Sequence, residues 1–195
     1  MSEQQTAVKT FNKKKRGLGI YVQNVLTRKV RLPFNIIGNN LSENILLDLT
    51  RGMEGKCVEE GFIKPNSIRI VNYSSGTVSG KYVIFTVMFE CLVCRPVEGM
   101  KFRAIVKNVT KAGIRCETQE HPSPVVVFIA RDHHFKTKEF SELEIDNEIT
   151  IKVIGIRFEL NDSYISVIAE LVTSKKIKVG KRGKKKPIVI INTKK

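Results

Sequence analysis

Apolar positions recur with a period near two along most of this chain and with a period near four in one place. From Ile20 to Leu32, Tyr21, Val25, Val30 and Leu32 alternate imperfectly with polar residues, and Pro33 stops the run. That pattern predicts a strand. Asn39-Asn40 then supplies N-cap chemistry. Leu41, Ile45, Leu49 and Met53 repeat at i+4 with Leu46 beside them, and Gly52 and Gly55 follow, so an amphipathic helix packed on a sheet is expected. Further strands are expected at Cys57–Ile63 and Ser67–Asn72, then a turn-rich stretch from Tyr73 to Gly80. The run Lys81–Arg95 is rich in Tyr, Val, Ile, Phe and Thr, which favours strand over helix. At ~3.3 Å per residue it reaches roughly 45 Å, long enough to bend at a bulge or to carry the chain from one domain into the next.

After Pro96 and Gly99 the pattern shortens to five strand candidates. These are Met100–Thr110, Ile114–Thr118, Val125–Ala130, Ile149–Leu160 and Tyr164–Val172. Phe102, Ala104 and Val106 share one face of the first, and Ile165, Val167, Ala169 and Leu171 one face of the last. A polar connection separates the third strand from the fourth, and Asn161-Asp162-Ser163 is a hairpin turn. Three strands, a long connection and a closing hairpin suit a five-stranded OB-type barrel; an open sandwich reads similarly. Phe102 and Phe128 are both assigned to the core. The expected class is therefore α+β: a helix on a curved antiparallel sheet over 20–96, then the barrel over 97–172.

Charge changes the picture because of where it lies. The net charge is +15 over 195 residues, with +4 in residues 1–19, +10 in 173–195 and only +1 between them. Two basic tails flank a nearly neutral body. Such blocks commonly bind polyanions, and also serve as plain solubility or localisation tails. Within the tail at 173–195, Ile188-Val-Ile-Ile191 is a short apolar run suited to docking as a strand. No apolar run spans a membrane. The N-terminal Met1-Ser-Glu-Gln-Gln-Thr lacks a signal peptide's apolar core, so a protein that is not secreted is expected. Cys57, Cys91, Cys94 and Cys116 read as reduced thiols.

No pattern supports catalysis. Gly76-Thr-Val-Ser-Gly80-Lys81 has one spacer too few for a phosphate loop, and Tyr82 stands where a metal-binding hydroxyl belongs. Cys91 and Cys94 lack a second pair at zinc spacing and, three apart on a strand, point to opposite faces. His133-His134, beside Asp132, reads as a surface loop. No metal site and no cofactor are expected. For nucleic acid, Lys101, Arg103 and Lys107 share a strand face, and Lys152 and Arg157 fall on the strand that neighbours it in an OB barrel. Phe158 or Tyr164 is placed to stack bases. Acids at Glu139, Glu142, Glu144, Asp146 and Glu148 crowd the long connection, which predicts a basic face beside an acidic lip.

Five segments then carry a family resemblance, in order. They are Leu26-Thr-Arg-Lys-Val-Arg-Leu-Pro-Phe34, Met53-Glu-Gly-Lys-Cys-Val-Glu-Glu-Gly-Phe-Ile63, Phe85-Thr-Val-Met-Phe-Glu-Cys-Leu-Val-Cys-Arg-Pro-Val-Glu-Gly-Met100, Ile105-Val-Lys-Asn-Val-Thr-Lys-Ala-Gly113 and Asp146-Asn-Glu-Ile-Thr-Ile-Lys-Val-Ile-Gly-Ile-Arg157. Together they resemble the stalk subunit of multisubunit RNA polymerases, which is the seventh subunit in eukaryotic polymerase II and has an archaeal counterpart. The resemblance implies a tip domain docked on the polymerase core beside the clamp, through Gly55, Lys56, Cys57, Gly61 and Phe62. It also implies a barrel near emerging single-stranded RNA, and a smaller fourth-subunit partner. Tyr73–Lys81 matches loosely, His121-Pro-Ser-Pro124 is unusual, and both tails lie outside the pattern; together these suggest a large DNA virus. The implied compartment is the nucleus or, for a viral protein, the virion and host-cell interior. The competing reading is a free-standing OB-fold RNA-binding protein of translation or RNA turnover.

Overall fold

A computed structural model describes residues 19–38, 40–134, 140 and 143–172. The two basic tails, part of the acidic connection (including Glu139 and Glu142) and Ile188–Ile191 lie outside the described residues. The first half is built on strand β6 (Tyr82–Cys94), whose inward positions Val83, Phe85, Val87, Phe89, Cys91 and Val93 are all buried. β1 (Tyr21–Pro33) pairs with it antiparallel along its whole length, from Tyr21↔Cys94 to Pro33↔Tyr82. On its other side β6 receives three short strands in turn: β3 (Gly61–Ile63), β4 (Arg69–Tyr73) and β5 (Thr77–Ser79). β5 falls in the stretch expected to be only a turn. The segment expected as one strand at 57–63 is a hairpin of β2 (Cys57–Val58) and β3.

Helix α1 (Leu41–Met53) covers one face of this sheet. Its i+4 stripe buries Ile45 and Leu49 against Val30, Leu32, Val87 and Phe89, with Leu41 and Met53 at the margin. Leu46 and Leu47, one and two positions past Ile45, stay exposed. Gly52 remains inside the helix. The helix stops at Glu54, and Gly55 follows at φ +71°, where glycine has no side-chain penalty. The Glu54 carboxylate accepts from the backbone N–H groups of Asn66, Ser67 and Ile68 at 2.8–3.1 Å, tying the helix end to the lead into β4.

The second half is a closed barrel of β7 (Lys101–Val109), β8 (Gly113–Glu117), β9 (Val125–Ala130), β10 (Glu148–Arg157) and β11 (Ile165–Leu171). β9 and β11 run parallel and every other pair is antiparallel, the five-stranded arrangement of an OB-type barrel. Phe102, Ala104, Val106, Ile114, Val127, Ile151 and Ile165 fill it. This is the α+β architecture that the periodicity predicts.

The two halves share a seam. Ile20, Cys57, Phe62 and Cys94 are buried in continuity with the barrel core. Cys57 N–H donates to the Asp162 carbonyl at 2.8 Å, and Asn161 N–H donates to the Cys57 carbonyl at 2.9 Å, so the β2–β3 hairpin clasps the β10–β11 turn. Lys64 adds an ion pair to Glu120 at 3.2 Å and sits 4.7 Å from the centre of the Tyr21 ring. Burial, and then the nearby Glu120 carboxylate, raise the Tyr21 hydroxyl above the ordinary phenol value.

Candidate nucleic-acid interface

Strand register places the basic residues of the barrel. Arg103 lies opposite Thr150 and Lys101 opposite Lys152, so these three cations share one patch across β7 and β10. Lys107 sits toward the far end of β7, at a bulge between Val106 and Asn108. Arg157 is five residues beyond Lys152, or ~17 Å at the usual rise. Tyr164, which is 43% exposed, precedes β11 at that same distant end. The six residues therefore do not form one groove. Four of the five cations also face a carboxylate: Arg103 with Glu148 at 3.4 Å, Lys107 with Asp146 at 3.7 Å, Lys152 with Glu170 at 2.8 Å and Arg157 with Glu159 at 3.2 Å. The hydrogen bond from Lys152 holds the Glu170 carboxyl below its ordinary value. Lys101 has no ion-pair partner among the described residues. Of the expected acidic lip, Glu139 and Glu142 lie outside the described residues, while Asp146 and Glu148 pair directly with cations of β7. A cleft of about 340 Å³ beside Arg103 and Glu148 is lined by Ile20, Thr118 and Glu120.

The aromatic assignments divide. Phe102 is fully buried, but Phe128 is 41% exposed, contrary to the expected core position. β9 is apolar on both sides. Val125, Val127 and Ile129 point inward, which leaves Phe128 outside, opposite Arg115 on β8 and Ile168 on β11. An unbroken apolar run contains no sign of which alternate set faces in; the register of its neighbours decides. Phe158 packs partly buried against the barrel core, so of the two proposed stacking residues Tyr164 is the more open.

The residues that the resemblance assigns to core docking lie on or beside the β2–β3 hairpin. Gly55 and Lys56 are half-buried at its start, and Lys56 Nζ donates to the Arg51 carbonyl at 3.2 Å. Cys57 and Phe62 are 1% and 0% exposed, inside the seam. Gly61 has φ +133°, and a Cβ there would run into the Cys94 carbonyl. The hairpin thus holds the halves together through Cys57, Gly61 and Phe62, and presents Gly55 and Lys56 outward.

Other chemistry is displaced from its expected place. Cys91 points into the core under α1 and Cys94 into the seam, on opposite faces as strand geometry requires. Burial pushes the Cys91 thiol up to about 11 and the Cys94 thiol up to about 12. Among the described residues no three His, Cys, Asp or Glu side chains converge as a metal site would need. No helix among them is long and apolar enough to cross a membrane. His134 is not a surface loop residue. It is 7% exposed and stacks on Phe140 at 5.3 Å. Its Nε2 accepts from Leu171 N–H at 2.9 Å, and its Nδ1 lies 3.1 Å from the Ala130 carbonyl, which together assign the proton to Nδ1. The residue pins the end of β11 to the third strand. A polar loop context hid this, because the partner is 37 residues away.

Fold and surface define a class: a helix-backed sheet clasped to an OB-type barrel whose exposed strands carry mixed charge. Comparison with known proteins makes this specific. The chain is 26% identical over 175 residues to DNA-directed RNA polymerase II subunit RPB7 of Glycine max, across 76% of this chain and 97% of that protein. It is 29% identical over 172 residues to a protein of Acanthamoeba polyphaga mimivirus assigned as a DNA-directed RNA polymerase subunit, across 78% of this chain and 82% of that one. DNA-directed RNA polymerase II subunit 7 of Arabidopsis thaliana matches at 26% over 169 residues, 74% of this chain and 94% of its own length. No protein-family model matches. All three relatives are named as RNA polymerase subunits, the family that the five sequence segments resemble.

Proposed function

We propose that the chain is a non-catalytic stalk subunit of a DNA-directed RNA polymerase, docked on the core near the clamp and contacting emerging RNA through its barrel. The observation that carries this is the extent of the similarity, which covers 76–78% of this chain and so reaches beyond either half alone. A free-standing RNA-binding protein has no need of the first half or of a seam that fixes it to the barrel. The polymerase core subunits are the partners, with a small fourth-subunit-like chain as a further one, and the work site is wherever that polymerase transcribes. The similarity to the mimivirus protein supports a viral lineage.

In this reading Gly55 and Lys56 contact the core, while Cys57, Gly61 and Phe62 set the hairpin that presents them. On the barrel, Lys101, Arg103 and Lys152 meet RNA phosphate at one end, and Arg157 and Tyr164 at the other, with Lys107 flanking. A photo-crosslinking residue placed at Lys56 in a tagged chain tests the docking half. Crosslinks to the largest polymerase subunits are expected, and their absence in an otherwise intact complex would remove the hairpin from the interface.

A further inference from the structure

The cations of this protein divide by partner. On the proposed barrel surface every one except Lys101 already faces a carboxylate. The open face of the first sheet is arranged oppositely. Val30 and Leu32 are 2% exposed beneath α1, so Lys29 and Arg31, alternating with them, point away from the helix. Arg69 lies opposite Glu90, whose strand neighbours Phe89 and Cys91 are buried on the helix side, so Arg69 shares the open face. Lys81 stands in the turn that enters β6. All four side chains are exposed, and none forms an ion pair among the described residues. Glu90 is the one acid among the described residues of that face, and it accepts a hydrogen bond from Gln23 at 3.1 Å.

An aromatic completes the arrangement. The Tyr82 ring is 37% exposed, with the Arg31 guanidinium 4.0 Å from its centre. Between the basic residues lies a shallow depression of about 210 Å³, floored by Thr27, Thr86 and the exposed Met88. Lys29 and Arg31 are two residues apart, or ~6.6 Å along the strand, and the face from the Tyr82 row to the Arg69 row runs ~26 Å. A cation already paired must give up one anion to take another. An unpaired one releases its counterions when a phosphate arrives, and that release drives single-strand binding. Unpaired cations along a track, with an aromatic to stack bases, are the parts of a sequence-blind single-strand platform.

We propose that this open sheet face, centred on Lys29, Arg31, Arg69, Lys81 and Tyr82, is a second surface for single-stranded RNA, separate from the barrel. It stands independently of the polymerase assignment.

The test uses the full chain. Binding of a uridine homopolymer is followed by fluorescence anisotropy at several salt concentrations, for wild type and for the combined variant Lys29→Ala, Arg31→Ala, Arg69→Ala and Lys81→Ala. The slope of log affinity against log salt should lose about 2 units, three phosphate contacts at about −0.7 each. The loss should be the same for an unrelated RNA. Tyr82→Leu should weaken binding about fivefold or more with little change of slope, as for one stacked base. Matching circular dichroism spectra and melting curves exclude unfolding as the cause. An unchanged slope in the combined variant overturns the proposal. So does unchanged RNA binding coupled with loss of polymerase subunits from a tagged purification, which makes the face a protein interface. If the tagged wild type brings down no polymerase while the slope still drops, the polymerase reading falls and this one stands.

Discussion

Replacing Gly61 by alanine should destabilise the protein far more than the same change at Gly55, although both glycines have positive φ in the same short segment. At Gly55, φ is +71° and the nearest atom to a new Cβ is Pro65 Cγ at 3.8 Å, an ordinary contact. The cost there is the left-handed backbone alone, about 1 kcal/mol. At Gly61, φ is +133°, in a region that side chains rarely adopt. The Cβ would meet the Cys94 carbonyl, with Arg95 Cβ and Val93 Cγ1 both at 3.1 Å. The carbonyl is backbone of the long strand β6 and cannot swing aside. Backbone strain of about 1–3 kcal/mol and overpacking of about 1–3 kcal/mol together suggest a loss of about 2–6 kcal/mol. For a body of this size that lowers Tm by roughly 4–24 °C. Thermal melts of the two single variants, followed by circular dichroism, make the comparison. Because Gly61 sits beside the seam, its variant should also lose the single cooperative transition in favour of separate unfolding of the halves. If Gly61→Ala melts within a degree or two of Gly55→Ala, the hairpin is not the clasp described.

Other consequences follow from single groups. Glu54→Ala removes the acceptor for three backbone N–H groups and should cost about 1–3 kcal/mol in urea unfolding, with Glu54→Gln intermediate. All four cysteines should resist a thiol reagent near neutral pH in the native state and react on unfolding, since burial raises Cys57 and Cys91 to about 11 and Cys94 and Cys116 to about 12. Unfolded thiols ionise near ~8.5 while the folded ones stay protonated, so stability is present below that pH and is lost as pH rises through the folded values. Urea midpoints measured on either side of the window check the sign. Deleting residues 173–195, with ten basic groups and no acid, should cut the salt slope of RNA binding by at least ~2 units for any sequence. An unchanged slope would leave nuclear import or subunit docking as the role of that tail.

Much of the architecture is legible because local and global preferences agree in it. The β-branched and aromatic run into Cys94 is a strand in any context, and the i+4 stripe of Ile45 and Leu49 needs only a sheet to cover. What the pattern cannot carry is which face of a doubly apolar strand turns inward, so Phe128 is expected inside and found outside. Nor can it carry pairings set by register. Lys152 finds Glu170 across 18 residues and Arg103 finds Glu148 across 45, so a row of cations that reads as an open basic face becomes a row of ion pairs. The clasp is hidden for the same reason. Cys57 and Asp162 are adjacent only because β6 delivers the chain into a barrel whose last hairpin folds back.

Membership in a polymerase is best tested by affinity purification of the tagged chain from its native source, after nuclease treatment and at a salt concentration that strips loosely bound nucleic acid. The large catalytic subunits of one DNA-directed RNA polymerase should co-purify in constant ratio with the chain and elute with it as one assembly on size exclusion. Recovery of the chain with ribosomal or RNA-turnover proteins, or alone at its monomer size after nuclease, would contradict that membership.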